Sequence, residues 1–477
     1  MNGRERISVA VVGSGYVGTV VAACFASLGH SVVGIENDPA KLAQLRAGRI
    51  PFHEPGLEDL LNSCSRDGRL RFTANYDDGV ANADVVFLCV GTPILPDGTV
   101  DMSAITNAAR SVASAIRRAV IVVSKSTITI GGARLIEAVI RDELDRGDGR
   151  PAPLGSAVLV HNPEFLREGS AIADFLHPDR VILGGDDPQA LERVSELYRP
   201  ILQQCFAGGI PARRPALMCV DVTTAEMMKY ASNAFLAAKV SFINELANVC
   251  DLVGADVKVL ATGMGLDRRI APEFLSAGLG WGGSCLGKDL SALIATARDG
   301  GYEPSLLTAV VQVNAQQQEV VLRKLGMHFS DLQGRRIGLL GLTFKPDTDD
   351  LRDSPAVELA RRLLALGAEV IAYDPVATEA PAVTGIAIVG DLYQVADGAD
   401  AVVLATDWPD FLRLDPAKLR IRMRGNVFVD GRNVFDGGAI ESAGLKYVAV
   451  GRSAGPQATW DSDFEAPTFD GKPTSRH

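Results

Sequence analysis

Val9-Ala10-Val11-Val12-Gly13-Ser14-Gly15-Tyr16-Val17-Gly18 is an apolar, mostly β-branched run that breaks into the pattern G-x-G-x-x-G. The run predicts a buried strand, and Thr19 to Leu28 carries a helical pattern. Between a strand and a helix the three glycines have separate uses. The first allows a tight turn, the second lets a pyrophosphate approach the backbone, and the third lets the helix pack close to the strand. Without the flanking elements this would be an ordinary glycine turn. Here a second apolar run, Ser31–Ile35, follows and ends at Glu36. A carboxylate at that place accepts hydrogen bonds from an adenosine ribose and repels a 2′-phosphate, so the stretch reads as an NAD site rather than an NADP site.

Outward from this unit, short apolar runs alternate with helical patterns: Val85–Val90, Val120–Ser124, Val158–His161 and Val181–Gly184. Buried runs separated by amphipathic stretches predict βαβ units and a parallel, doubly wound sheet. The character changes at Ala216. From there to Val253 there is neither Gly nor Pro, and Thr223-Thr224-Ala225-Glu226 has the form of a capping box, so the stretch reads as one long helix. Pro304 to Leu325 reads as another helix. From Arg336 the alternation resumes, with Ile337–Leu340, Val370–Tyr373, Ala401–Ala405, Val427–Asp430 and Tyr447–Val450. The expected fold class is α/β, two Rossmann-like doubly wound domains joined by a long central helix. The expected boundaries are 1–205 for the cofactor domain, 206–330 for a helical connector and dimerisation domain, and 331–452 for the second α/β domain. A Pro-, Asp-, Ser- and Gly-rich tail, 453–477, is expected to be disordered.

The 477 residues correspond to about three domains of ~150 residues each. Lys plus Arg number 47 against 58 Asp plus Glu, a net charge of −11, which argues against a general nucleic-acid binder. No apolar run approaches the ~20 residues of a membrane span, and the polar Met1 to Arg6 does not read as a signal peptide. The seven cysteines are scattered and form no C-x-x-C pair, which favours reduced thiols in the cytoplasm. None of the six histidines falls in a metal-ligand pattern, so no metal is expected.

Gly280-Trp281-Gly282-Gly283-Ser284-Cys285-Leu286-Gly287-Lys288-Asp289 is the most informative stretch for chemistry. A glycine-rich turn delivers Cys285 to the start of a helix, Leu286 to Ala297, where the dipole favours thiolate. A lone cysteine is more often a small buried hydrophobe; the glycines, which clear space around the sulfur, favour a nucleophile. Asp289 follows on the same helical face. On the long helix Lys229 and Asn233 are also i,i+4 neighbours in an otherwise apolar run, where a buried lysine would suit a developing oxyanion. Asn162-Pro163-Glu164-Phe165-Leu166-Arg167-Glu168-Gly169 follows a predicted strand. Its two carboxylates suit acid–base work, although Pro163 equally suits a capped helix start. Cys89-Val90-Gly91-Thr92-Pro93 and Ser124-Lys125-Ser126-Thr127 lie at strand ends, where ligands of open sheets bind.

In their order from about Ile7 to Val450, these motifs resemble the UDP-glucose/GDP-mannose dehydrogenase family. Gly341-Leu342-Thr343-Phe344-Lys345 and Asp430-Gly431-Arg432-Asn433 complete the set. The resemblance implies an NAD-dependent, four-electron oxidation of a sugar C6 alcohol to a carboxylate, with UDP-glucose as the leading substrate. UDP-galactose, a UDP-hexosamine or GDP-mannose would be the alternatives, and a catalytically inactive nucleotide-sugar binder would be the rival from another class. The family pattern makes Cys285 the nucleophile on the aldehyde. It gives Lys229 and Asn233 the anionic oxygen, Asp289 and Thr127 the water, and Glu164 the acid–base work. It places Gly13, Gly15, Tyr16, Val17, Gly18, Glu36, Lys41, Thr92, Thr127, Glu168, Lys288 and Arg352 at the cofactor. For the UDP-sugar it implies Phe165, Leu166, Phe274, Gly282, Phe344, Lys345 and Arg432, beside Lys229 and Asn233. Arg269 would reach a partner subunit's site, so the resemblance implies at least a homodimer, with no nucleic acid or membrane as partner. Two features depart from the pattern: Glu36 stands where Asp is more usual, and Cys205 to Asp221 is an unusual stretch.

Overall fold

The computed structural model describes residues 6–146, 157–380 and 383–452; the expected disordered tail, 453–477, lies outside them. The chain parts into two compact units, Met1–Ser232 with Ser291–Asp299, and Asn233–Leu290 with Gly300–His477.

The first unit is built on eight strands: β1 (Ser8–Val12), β2 (Ser31–Ile35), β3 (Leu70–Thr73), β4 (Val85–Leu88), β5 (Val120–Ser124), β6 (Ala157–His161), β7 (Arg180–Gly184) and β8 (Ala216–Val220). Their order is β3-β2-β1-β4-β5-β6-β7-β8. The first six run parallel, with Val9 opposite both Val32 and Val85. β7 meets β6 antiparallel at His161↔Gly184 and carries β8 parallel on its other side. Central strands are apolar throughout because both faces are covered. Val9 and Val11 enter one core with Val20 and Phe25 of the helix Tyr16–Ser27. Ala10 and Val12 enter the other with Ile105 and Ile136, from helices Ser103–Ala115 and Gly132–Arg146.

The second unit repeats the plan with β9 (Arg336–Leu340), β10 (Glu369–Tyr373), β11 (Ile386–Ile388), β12 (Ala401–Leu404), β13 (Val427–Asp430) and β14 (Lys446–Ala449). All are parallel, in the order β11-β10-β9-β12-β13-β14. Leu339 packs with Leu359 and Leu363 on one face, and Leu340 with Phe411 and Leu419 on the other.

The stretch from Ala216 is not helical from its start. Ala216–Val220 extends along the open edge of β7, and the long helix begins at Val222 and runs to Val253. Asp221 ends the strand, and its carboxylate accepts from the Thr224 N–H at 2.9 Å, so it takes the capping place expected of Thr223. Glu226 closes no capping box. It accepts from the N–H groups of Gly131 (2.6 Å) and Ala133 (2.9 Å), at the start of the helix Gly132–Arg146. Pro304 to Leu325 divides into two helices, Ser305–Gln317 and Val320–Gly326. The break falls at Gln318 and Glu319, where no Gly or Pro marks it in the sequence. Among the described residues no helix is long and apolar enough to cross a membrane.

Candidate active site

The G-x-G-x-x-G turn follows β1. Gly13 takes φ +88°, in the left-handed region that favours glycine, and its N–H donates to the Ile35 carbonyl at 2.9 Å. A Cβ at Gly15 would meet nothing within 4 Å, so this side of the turn is open to a phosphate. A Cβ at Gly18 would run into the Gly13 carbonyl, so the third glycine is required by close helix–strand packing. Glu36, half-buried at the end of β2, accepts from Ser14 N–H at 3.1 Å and Asp38 N–H at 2.9 Å. An open turn, a helix N-terminus without an acidic first turn and a carboxylate at the ribose position together fit a dinucleotide. Val17 packs on the core, whereas Lys41 is exposed on the helix Pro39–Arg46.

Tyr16 donates its hydroxyl to Glu54, a carboxylate only 4% exposed. Glu54 also accepts from Gly169 N–H at 2.6 Å and Ala171 N–H at 2.8 Å. Burial, and then Glu54 and Glu168 nearby, push the Tyr16 hydroxyl far above its ordinary range, so it remains a donor. No motif in the sequence singles out Glu54. The loops after β4 and β5 are also joined: Thr92 Oγ1 donates to the Thr127 carbonyl at 2.6 Å, and Ser126 Oγ to the Val90 carbonyl at 2.7 Å.

Residues Asn162 to Gly169 form an irregular loop; the next helix begins only at Ala171. Pro163 therefore starts no helix. Glu164 and Lys229 form a buried ion pair at 2.8 Å, and the second Glu164 oxygen accepts from Leu166 N–H at 2.6 Å. Burial pulls the Glu164 carboxyl upward, but Lys229, the Leu166 amide and Lys125 outweigh it and hold the group below its usual range. Phe165 lies under two cations, 4.0 Å from the Arg180 guanidinium and 5.5 Å from Lys229 Nζ. Lys125 is a second buried lysine. Its Nζ donates to Asn162 Oδ1 at 3.0 Å, where the Tyr198 hydroxyl also donates at 2.6 Å. Burial depresses its pKa to about 8. The sequence marks its loop as a strand end, but nothing there marks the residue as buried.

In the second unit Cys285 is half-buried, unlike the buried Cys24, Cys64, Cys89 and Cys250. Its carbonyl accepts from Asp289 N–H at 2.9 Å, so it opens the helix Leu286–Asp299. Asp289 is fully buried and accepts from Asn233 Nδ2 and Lys288 Nζ, both at 2.6 Å. Lys288 thus contacts this carboxylate. A Cβ on Gly282 would stand 2.7 Å from Pro355, and one on Gly283 2.7 Å from the Phe344 ring. Lys345 lies over that same ring at 5.7 Å. Arg352 pairs with Asp350 at 2.8 Å, and its carbonyl accepts from Gly283 N–H at 3.2 Å. Arg432 pairs with Asp407 at 2.8 Å. Phe274 holds φ +62°, a strained value for a bulky residue. Arg269, its side chain 84% exposed, pairs with its near neighbour Asp267 at 2.6 Å.

Comparison with known proteins agrees over most of the chain. Residues 7–202 match the NAD binding domain, 223–316 the central domain and 338–437 the UDP binding domain of the UDP-glucose/GDP-mannose dehydrogenase family. A UDP-glucose 6-dehydrogenase of Pseudomonas aeruginosa is 43% identical, covering 93% of this chain and 97% of that protein. Another from Bacillus subtilis is 41% identical, covering 94% and 98%. The structure of a UDP-glucose dehydrogenase from Pyrobaculum islandicum superposes with a TM-score of 0.84 at 37% identity, over 95% of this chain and 99% of that one. The NAD-type turn, the two parallel sheets and these matches agree: the chain belongs to the UDP-glucose/GDP-mannose dehydrogenase family.

Proposed function

We propose that this protein is an NAD-dependent UDP-glucose 6-dehydrogenase, which oxidises the C6 alcohol of UDP-glucose to the carboxylate of UDP-glucuronate. The observation that supports it most is the placing of Cys285, a half-buried thiol at a helix start behind a glycine turn, with Asp289 buried one turn on. NAD, when bound, accepts the hydride in each of two oxidations. The first leaves a C6 aldehyde. The Cys285 thiolate adds to it, forming a C–S bond and a hydroxyl-bearing carbon from which a second hydride can leave. The resulting thioester is cleaved by water, which returns the thiol and releases the carboxylate. A covalent adduct keeps the aldehyde from escaping.

In this scheme Lys229 and Asn233 offset charge on the C6 oxygen, and Asp289 orders the water that takes its proton. Glu164, held ionised, handles protons at the thioester stage, and Thr127 holds the hydrolytic water. The cofactor would rest on Gly13, Gly15, Tyr16, Val17, Gly18, Glu36, Lys41, Thr92, Glu168, Lys288 and Arg352. Phe165, Leu166, Phe274, Gly282, Phe344, Lys345 and Arg432 would hold the UDP-sugar. The three-part division at about residues 205 and 330 belongs to the same reading. We place the enzyme in the cytoplasm, since none of its seven cysteines is in a disulfide. It would act as a homodimer, with Arg269 serving the partner's site. The long helix supports this, because it exposes Phe235, Phe242, Val249 and Leu252, largely at seven-residue spacing.

The test is to count NADH formed per UDP-glucose consumed. Two are expected; one, or none while GDP-mannose or a UDP-hexosamine turns over, overturns the assignment. Cys285→Ser should abolish the second oxidation, and full turnover in that variant would remove the covalent route.

A further inference from the structure

The segment that carries Cys285 is rich in glycine, and such a segment loses more freedom on ordering than any other. Gly280 takes φ +107° and Gly283 φ +83°. Irregular backbone of this kind must find partners for its N–H and C=O groups. Here buried side-chain amides supply four of them. Asn244 Oδ1 accepts from Gly278 N–H at 2.8 Å, and Gln317 Nε2 donates to the Gly278 carbonyl at 2.7 Å. Asn314 grips both sides of Trp281, accepting from its N–H at 2.8 Å and donating to its carbonyl at 3.0 Å. The amide thus pairs with this residue as a neighbouring strand would. The Trp281 indole donates to Ser241 Oγ at 2.9 Å, and Ser241 donates to the Val310 carbonyl at 2.9 Å.

Asn244 and Gln317 are fully buried and Asn314 is 5% exposed. Two helices contribute all four side chains: Ser241 and Asn244 from Val222–Val253, Asn314 and Gln317 from Ser305–Gln317. Apart from Asn233, their other buried positions in this unit, such as Ala237, Ile243, Ala247 and Val310, are apolar. Buried amides cost free energy unless they are bonded; Asn314 and Gln317 bond the cysteine's turn, and Asn244 does so through Oδ1 while its Nδ2 has no partner. A Cβ on Gly280 would fall 2.5 Å from Asn314 Oδ1, so the glycine and the amide are matched in shape as well as in hydrogen bonding.

We infer that Asn314, with Asn244, Gln317 and Ser241, forms an amide clamp that sets the path of the Gly278–Gly283 turn and thereby positions the Cys285 thiol for attack. These are positioning residues, and they act through the turn's backbone. The inference rests on reading Cys285 as the nucleophile.

The test uses the full-length protein and two readouts. One is the rate at which iodoacetamide alkylates Cys285 without substrate, followed by mass spectrometry of its peptide across pH. The other is the NADH yield of a single turnover. Asn314→Leu, which removes both bonds to Trp281, is expected to change the alkylation rate at least tenfold. It should also slow the second NADH more than the first, with KM for NAD unchanged. Ser241→Ala, which removes the indole's partner and the bond to the Val310 carbonyl, should change both at least threefold. Asn314→Leu that folds with native alkylation and native second-step rate overturns the clamp. If Asn314→Leu does not fold, Ser241→Ala decides by the same criterion. Full turnover by Cys285→Ser would instead remove the nucleophile reading, while the alkylation rates would still report whether the clamp holds the turn.

Discussion

Lys229 and Glu164 are tied so closely that neither can be changed alone without leaving a buried charge behind. Removing one partner of such a pair costs about 3–5 kcal/mol, whereas replacing both with apolar groups is often neutral. Lys229→Met should therefore destabilise the protein by roughly that amount in denaturant titrations. Lys229→Met combined with Glu164→Leu should recover most of the loss, and failure to recover would mean that the pair is not what the single substitution disturbs. Lys125 offers a pH test. Its pKa falls from its ordinary value to about 8 on burial, so the folded state holds a charged lysine at a disadvantage below that value. The penalty, about 3 kcal/mol at full size, is present below pH 8 and fades as pH rises toward the unfolded value near 10.5. Lys125→Met should raise the melting temperature at pH 7 more than at pH 10. An equal gain at both would show that the ammonium's burial is not the cause. Neither lysine's surroundings could be read from the sequence, where Lys229 stands out only by its apolar neighbours and Lys125 not at all.

At the level of elements, the interior of each sheet was legible and the margins were not. The strands that the sequence does not signal, β3, β8 and β11, all lie at sheet edges. Edge strands face solvent, tolerate charge and carry no continuous apolar run. β3 reads Leu-Arg-Phe-Thr, and β11 has three residues. β8 is apolar enough, but its sequence runs on into the long helix without Gly or Pro, and only the open side of β7 makes it extended. The glycine fingerprint, by contrast, was fully legible because each glycine answers a local steric demand. Glu36 completes that element by holding Ser14 N–H. Glu36→Ala should weaken NAD binding about tenfold or more, the value of a charge-assisted hydrogen bond or two. It should leave UDP-glucose binding unchanged; calorimetry with each ligand separately checks this, and equal losses would argue against the cofactor assignment.

For the whole molecule, two units that share one order over six strands carry separate ligand assignments, as the matches to an NAD binding domain and a UDP binding domain state. The duplication of plan was legible from two series of apolar runs; the amide contacts that hold the cysteine's turn were not, since Asn244, Asn314 and Gln317 are far apart in the chain and ordinary in composition. The exposed face of the long helix makes a prediction at this scale. Phe235 is 67% and Leu252 85% exposed in the single chain, which suits an interface between copies. Phe235→Asp together with Phe242→Asp should reduce the sedimenting mass to that of one chain, and an unchanged mass would exclude this face.

Glu54 has a mechanical consequence. It fastens the first helix, through Tyr16, to Gly169 and Ala171, more than a hundred positions away in sequence. One carboxylate therefore acts as a rivet between the fingerprint helix and the residues just past Glu164. Agitation of either is passed to the other, and any molecule that quiets the first also stiffens the second.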